Sequence, residues 1–209
     1  MSSGYQQDNR VVSGGVTVTK ILVVVNVAVF AVLALRGDTQ DTSYMLRSGA
    51  LWLPSVLENH EYYRLLTPVF LHFSFSHLFN NMLLLFFMGD VLEDEIGRIR
   101  FLLIYLLTGI AGNVITLVLQ MRTGEYSLSA GASGAVFGVL GALLCLLILN
   151  RGQVSYLTGG RMIFFVLYSL YTGFTSSGVN NAAHVGGLLA GFILMFFLYP
   201  RHGGRIGRR

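Results

Sequence analysis

The stretch AGASGAVFGVLGALLCLLIL, Ala130–Leu149, runs for twenty residues without a charge. As a helix it would be about 30 Å long, the thickness of a bilayer's hydrocarbon core. A soluble helix would carry charges at helical spacing on its outer face, and a barrel strand would alternate polar with apolar residues. This stretch does neither, so it reads as a membrane-crossing helix. One polar side chain near its start, Ser133, stands between small residues.

Outward from it lie five more apolar runs: Val18–Leu35, Ser74–Leu92, Phe101–Met121, Met162–Phe174 and Asn181–Tyr199, the fifth in chain order being the shortest. The whole chain of 209 residues is 54% hydrophobic and only 11% charged, outside the balance of soluble proteins. No repeat, low-complexity tract or linker divides it. The expected architecture is all-α: a polytopic membrane protein with a six-helix transmembrane bundle over residues 18–199. A short N-terminal tail (1–17) and a basic C-terminal tail (200–209) flank it. Met1–Arg10 lacks the basic start and small-residue cleavage site of a signal peptide, so the first run is expected to be retained. Cys145 is the single cysteine and sits in an apolar run, which excludes an intrachain disulfide.

Arg10, Lys20, Arg98, Arg100, Arg151, Arg161 and the tail arginines 201, 205, 208 and 209 fall on one side of the six runs; Arg36, Arg47, Arg64 and Arg122 fall on the other. That asymmetry predicts both termini in the cytoplasm. The basic tail follows a span directly, so it reads as a positive-inside anchor rather than a nucleic-acid contact. Short tails without an added domain point to a bacterial plasma membrane. Between the first two runs, Arg36–Phe73 is too long for a turn and mixes Trp52, Tyr62, Tyr63, Phe70 and Phe73 with charges. It suits a loop lying partly in the headgroup region; a plain extracellular loop is the alternative.

Polar side chains inside such runs cost free energy unless they pair or line a wet cavity. They gather near the outer ends of the even-numbered runs: His77, Asn80 and Asn81 in the second, Ser129 and Ser133 in the fourth, Asn180, Asn181 and His184 in the sixth. Those three runs cross in the same direction, so these residues share one depth. His77 and Asn81, four apart, occupy one helical face. Ser133 is at a helix start, where unsatisfied N–H groups and the positive end of the dipole can hold an anion. His184, Gly187 and Gly191 repeat at three and four residues, leaving a smooth face for close approach of another helix.

Taken singly, a serine among glycines in a membrane helix is ordinarily a packing device, and a lone histidine a hydrogen-bonded structural residue. Together, a nucleophile, a base and amide donors at one depth point to chemistry. The acidic cluster Asp90, Glu93, Asp94 and Glu95 falls at the opposite, cytoplasmic end of the second run, which leaves no third carboxylate for a triad. The same placement argues against an aspartyl protease, and His72 and His77, five apart, fit a zinc-binding helix poorly.

GASG at 131–134, AHVGGLLAG at 183–191 and the His77–Asn81 pair together resemble the signature of the rhomboid family of intramembrane serine proteases. The loop and second run agree through Arg64, Thr67, His72, Gly89, Glu93 and Gly97, with Tyr63 where the family's tryptophan–arginine element has tryptophan. The resemblance implies Ser133 as nucleophile and His184 as general base and then acid. It implies His77, Asn81 and the Ser133 N–H as oxyanion donors, with Phe137 packed on the His184 ring. Gly131, Gly134, Gly187, Gly191, Arg64 and Glu93 would support the site. It further implies transmembrane protein substrates cut near the outer face of the bilayer, gating by the first loop or the fifth helix, and no metal or organic cofactor. A non-catalytic relative that binds membrane clients, and a transporter using the same polar cavity, are the competing readings. Oligomeric state is not encoded in these features.

Overall fold

A computed structural model of the chain describes residues 16–151, 153, 154, 157, 158, 160, 163, 164, 166–169, 171 and 179–199. Six residues of the run Met162–Phe174 (162, 165, 170 and 172–174) lie outside the described residues, as do 1–15 of the N-terminal tail and the whole C-terminal tail. Among the described residues the secondary structure is helical apart from one hairpin of two-residue strands, and its main elements are α1 (Val18–Arg36), α2 (Thr42–Arg47), α3 (Leu53–Leu57), α4 (Phe75–Ile96), α5 (Arg98–Thr123), α6 (Ser133–Leu149), β1 (Gln153–Val154), β2 (Leu157–Thr158) and α7 (Asn181–Leu198). Among the described residues, α1, α4, α5 and α7 are long and apolar enough to cross a membrane, and α6 is a shorter apolar helix of 17 residues.

Sequence explains why α6 is central. It is apolar all round, so it can be surrounded, and residues from Gly134 to Leu147 are buried with the exception of Leu144. The flanking α5 and α7 pack against it through glycines. A Cβ on Gly138 would strike the Thr108 side chain of α5, and one on Gly141 would strike the Leu188 carbonyl of α7. At their other ends α6 and α7 are tied by Tyr199 Oη, which donates to Asn150 Oδ1 at 2.7 Å.

The expected second span begins where its run does, capped by Ser74, whose hydroxyl accepts from the His77 N–H at 3.2 Å. It continues past Leu92 to Ile96, through a π-helical turn at Leu85–Gly89, and stops at Gly97, whose φ is +85°. The acidic cluster therefore occupies the last turns of this helix, the end at which the sequence puts it. Glu93, 4% exposed, faces the start of α1. Its carboxylate accepts from the Val18 N–H (2.9 Å), the Thr19 N–H (2.8 Å) and the Thr19 hydroxyl (2.8 Å), while Thr17 Oγ1 donates to Asp90 at 3.1 Å. The two amides are first-turn N–H groups with no partner inside their own helix, and they carry the positive end of its dipole. Glu93→Ala is expected to lower stability by about 2–3 kcal/mol, the scale of hydrogen bonds to a charged group. Thermal unfolding in detergent reads the loss; an unchanged midpoint would mean the α1 start is held by apolar packing alone.

The first loop is a built unit. Arg64, 5% exposed, sends Nη1 to the carbonyls of Leu46 (2.7 Å) and Ala50 (2.8 Å) and pairs with Glu61 through Nε. Its guanidinium holds the Glu61 carboxyl below the usual carboxylate range. Thr67 donates to the Gly49 carbonyl at 2.7 Å, and Asn113 of α5 donates to the Leu65 carbonyl at 2.9 Å. Met45, Ala50, Leu51, Leu53 and Val56 are buried beneath these bonds. Leu57, Tyr62, Tyr63 and Leu66 remain exposed as an apolar and aromatic face.

Candidate active site

Ser133 is the first residue of α6, one position after Ala132. The turn before it depends on Gly131, whose φ of +144° disfavours any side chain. Space demands glycine as well. A Cβ there would lie 2.8 Å from His77 Cε1, 2.9 Å from His77 Nε2 and 3.7 Å from Ser133 Oγ. The serine hydroxyl and the His77 ring thus border one small volume at the helix start.

That turn is anchored from behind. The Gly131 N–H donates to the Pro68 carbonyl at 2.9 Å, and the Ala132 N–H to His72 Nε2 at 3.4 Å. Burial, with the neighbouring His77 adding to it, pushes the His72 imidazole down to about 3, so the ring is neutral with Nε2 as acceptor. With those two amides engaged, the first-turn amides of α6, the Ser133 N–H among them, have no intrahelical acceptor and can meet a developing charge. His72 and His77 also touch, ring centroids 5.1 Å apart at 72°. The five-residue separation excludes a shared face only if both are helical, and His72 precedes the start of α4.

Asn81 is one turn beyond His77 on α4, 7% exposed, and one Nδ2 hydrogen is bonded to the His77 carbonyl at 3.1 Å. Its second amide hydrogen is left for another acceptor. His184, 7% exposed, lies in the first turn of α7 and stacks face to face on Phe137 of α6, centroids 4.2 Å apart at 11°. Its Nδ1 is buried without a hydrogen-bond partner among the described residues. Phe137→Ala would remove this stacking platform. It is expected to slow labelling of Ser133 by a fluorophosphonate about tenfold, with thermal stability measured alongside; an unchanged labelling rate would remove Phe137 from the site.

The imidazole is brought beside the serine helix by the absence of side chains between the two helices. A Cβ on Gly187 would collide with the Gly134 carbonyl, and one on Gly191 with the Gly138 carbonyl. On α5, a Cβ on Gly112 would lie 2.8 Å from the Ala183 carbonyl. Arg64 and Glu93 are remote in role: one organises the first loop, the other caps α1.

A polar seam on α5 is not apparent from the sequence alone. Thr108, Gly112, Thr116 and Gln120 recur every four residues, and the three polar ones are buried. Thr116 meets Asn180, and Gln120 Nε2 donates to the Ser127 carbonyl at 2.9 Å. The four-residue spacing is the available signal, but threonines that bond their own helix carbonyls register as apolar. The described residues hold no cluster of three or more His, Cys, Asp or Glu side chains that could bind a metal ion.

A bundle of apolar helices with a polar cluster near one end defines a polytopic membrane protein. Residues 59–201 match the Rhomboid domain, and the chain belongs to the rhomboid family. It is 36% identical over 197 residues to Rhomboid protease GluP of Bacillus subtilis, covering 94% of this chain and 38% of that protein. RHOMBOID-like protein 1 of Arabidopsis thaliana is 37% identical over 164 residues, covering 75% and 40%, and the putative rhomboid protease YdcA of B. subtilis is 34% identical over 155 residues, covering 71% and 76%. The chain thus spans about two fifths of the length of the first two, at 38% and 40%.

Proposed function

We propose that this chain is an intramembrane serine endopeptidase that hydrolyses peptide bonds in or near the transmembrane segments of other membrane proteins. The observation that carries the reading is the meeting of three elements at the start of α6: Ser133 Oγ and His77 Nε2 about one glycine Cβ volume, and the His184 ring stacked one turn deeper on Phe137. Names of relatives such as Rhomboid protease GluP support the same reaction class.

In this reading His184 takes the proton from Ser133 Oγ as the oxygen attacks the scissile carbonyl. The Ser133 N–H, His77 and Asn81 donate to the oxygen of the tetrahedral intermediate. Collapse expels the amine, which receives its proton from His184, and leaves an ester on Ser133. Water, deprotonated by His184, then cleaves that ester and restores the hydroxyl. The unpartnered Nδ1 of His184 fits a two-residue arrangement, since no carboxylate contacts it among the described residues.

Residues 18–199 form the protease domain in this reading, with both termini cytoplasmic and the site towards the outer face. The exposed Leu57, Tyr62, Tyr63 and Leu66 face suits a first loop lying in the headgroup region. Substrates are single-span proteins whose helices unwind near that surface, because a stable helix keeps its peptide bonds from attack. The test is reconstitution in liposomes with a single-span reporter and a fluorophosphonate probe, mapped by mass spectrometry. Cleavage with the probe on Ser133 supports the reading. A folded protein that binds reporter helices but neither cuts nor labels overturns it in favour of a non-catalytic client-binding relative.

A further inference from the structure

One side chain joins three elements that must agree for the site to form. Asn180 precedes α7, and its Oδ1 accepts from the Ala183 N–H at 3.0 Å as the helix N-cap. That bond fixes the orientation of the amide, because only its oxygen can accept. Nδ2 then donates to Ser129 Oγ at 3.0 Å and to Thr116 Oγ1 at 2.9 Å, and Thr116 Oγ1 also lies 3.1 Å from Asn180 Oδ1. The Thr116 hydroxyl proton has two acceptors in reach, the Gly112 carbonyl at 2.9 Å and Asn180 Oδ1 at 3.1 Å. Every hydrogen of the Asn180 amide is used.

What the three partners carry gives the bonds their meaning. Asn180 is four residues before His184, and its carbonyl accepts the His184 N–H at 3.3 Å, so the cap sets the rotation of the turn that bears the imidazole. Ser129 is four residues before Ser133 and is fixed to the first loop by reciprocal backbone bonds with Leu51, 2.8 and 3.0 Å. Thr116 lies on α5 one turn from Gly112, which abuts the Ala183 backbone. A displacement of α7 relative to the serine-bearing turn must stretch one of these bonds.

We infer that Asn180 is a positioning residue that fixes the register of the His184-bearing turn against the Ser133-bearing turn, through its bonds to Ser129 and Thr116. This rests on the proteolytic reading for its consequence in rate, though not for the tie itself. Asn180 touches neither reacting atom. Its effect should appear in how well His184 activates Ser133, not in how substrate binds.

Two substitutions separate the cap from the tie. Asn180→Ser keeps an N-capping oxygen but is too short to reach Ser129 and Thr116 while capping; Asn180→Asp keeps the cap and offers a second oxygen to which both hydroxyls can donate. The expected result for Asn180→Ser is a rate constant for fluorophosphonate labelling reduced about 10- to 100-fold, in line with the cost of misplacing a reacting group by about 1 Å. The labelled fraction at saturation should stay near wild type, KM for the reporter within about twofold, and deuterium uptake over residues 127–132 should rise. Asn180→Asp should recover most of the labelling rate. A merely structural role would instead lower the saturating labelled fraction and the thermal midpoint and leave the rate per labelled site unchanged, which would overturn the proposal. Wild-type labelling rate and wild-type uptake in Asn180→Ser would overturn it as well. If the wild type itself neither labels nor cuts, the proteolytic reading falls, and the tie is then judged by the deuterium uptake alone: increased uptake in Asn180→Ser sustains it, unchanged uptake ends it.

Discussion

Ser133→Ala is expected to bring cleavage of a single-span reporter down by at least about 10³-fold, and His184→Ala to do nearly the same, because the two act as one unit. A serine hydroxyl is a poor nucleophile until a base takes its proton, so removing either partner removes the attack. The double substitution should then be little worse than either single one. A thousandfold loss corresponds to about 4 kcal/mol of transition-state stabilisation. Fluorophosphonate labelling should vanish in Ser133→Ala and become very slow in His184→Ala; the thermal midpoint of Ser133→Ala should stay near wild type, since Ser133 makes no structural hydrogen bond among the described residues, while His184→Ala also loses the stack on Phe137 and should melt lower. Losses that simply multiply in the double variant would mean that the residues contribute independently. Retention of more than about a tenth of wild-type cleavage in Ser133→Ala would place the nucleophile elsewhere.

The spans were legible because charge-free runs of bilayer length leave few alternatives, and the helices α1, α4, α5 and α7 overlie the runs that predict them. Their ends were less legible, for a reason specific to Glu93. A carboxylate scores as strongly polar in any reading of the chain alone, whereas here three donors at the start of α1, far away in sequence, satisfy it. The first loop posed the same difficulty: its length excluded a turn, but tertiary bonds such as those from Arg64 to Leu46 and Ala50 and from Thr67 to Gly49 are what reveal a folded unit. Within the site, motifs named Ser133, His77, Asn81 and His184, while the neutral polar seam of α5 stayed hidden. Thr108 and Thr116 satisfy their hydroxyls on the carbonyls of Ile104 and Gly112, so nothing in their composition marks them as partners of other elements.

Gly187→Ala should slow catalysis about 10²-fold, less than loss of the dyad but far more than its size suggests, although residue 187 carries no chemistry. Its Cα faces the Gly134 carbonyl so closely that an added methyl would overlap the oxygen itself, and the contact is backbone on both sides. Neither partner can turn away as a flexible side chain would, so α7 must move off α6. Such overpacking costs about 1–3 kcal/mol. The rate should suffer more than the stability, because Gly134 follows Ser133 directly and Gly187 lies one turn after His184. Moving the helices apart there moves the hydroxyl from the imidazole, and about 1 Å of misplacement can cost about 10²-fold. Gly191→Ala, which meets the Gly138 carbonyl one turn further on, should cost similar stability with a smaller effect on rate. Gly160, where an added methyl would have nothing within 4 Å among the described residues, is the control and should tolerate alanine. Labelling rates and thermal midpoints across the three variants test the gradient. If Gly187→Ala labels as fast as wild type, the close approach of α6 and α7 serves packing only, and His184 must be held against Ser133 by contacts other than this glycine seam.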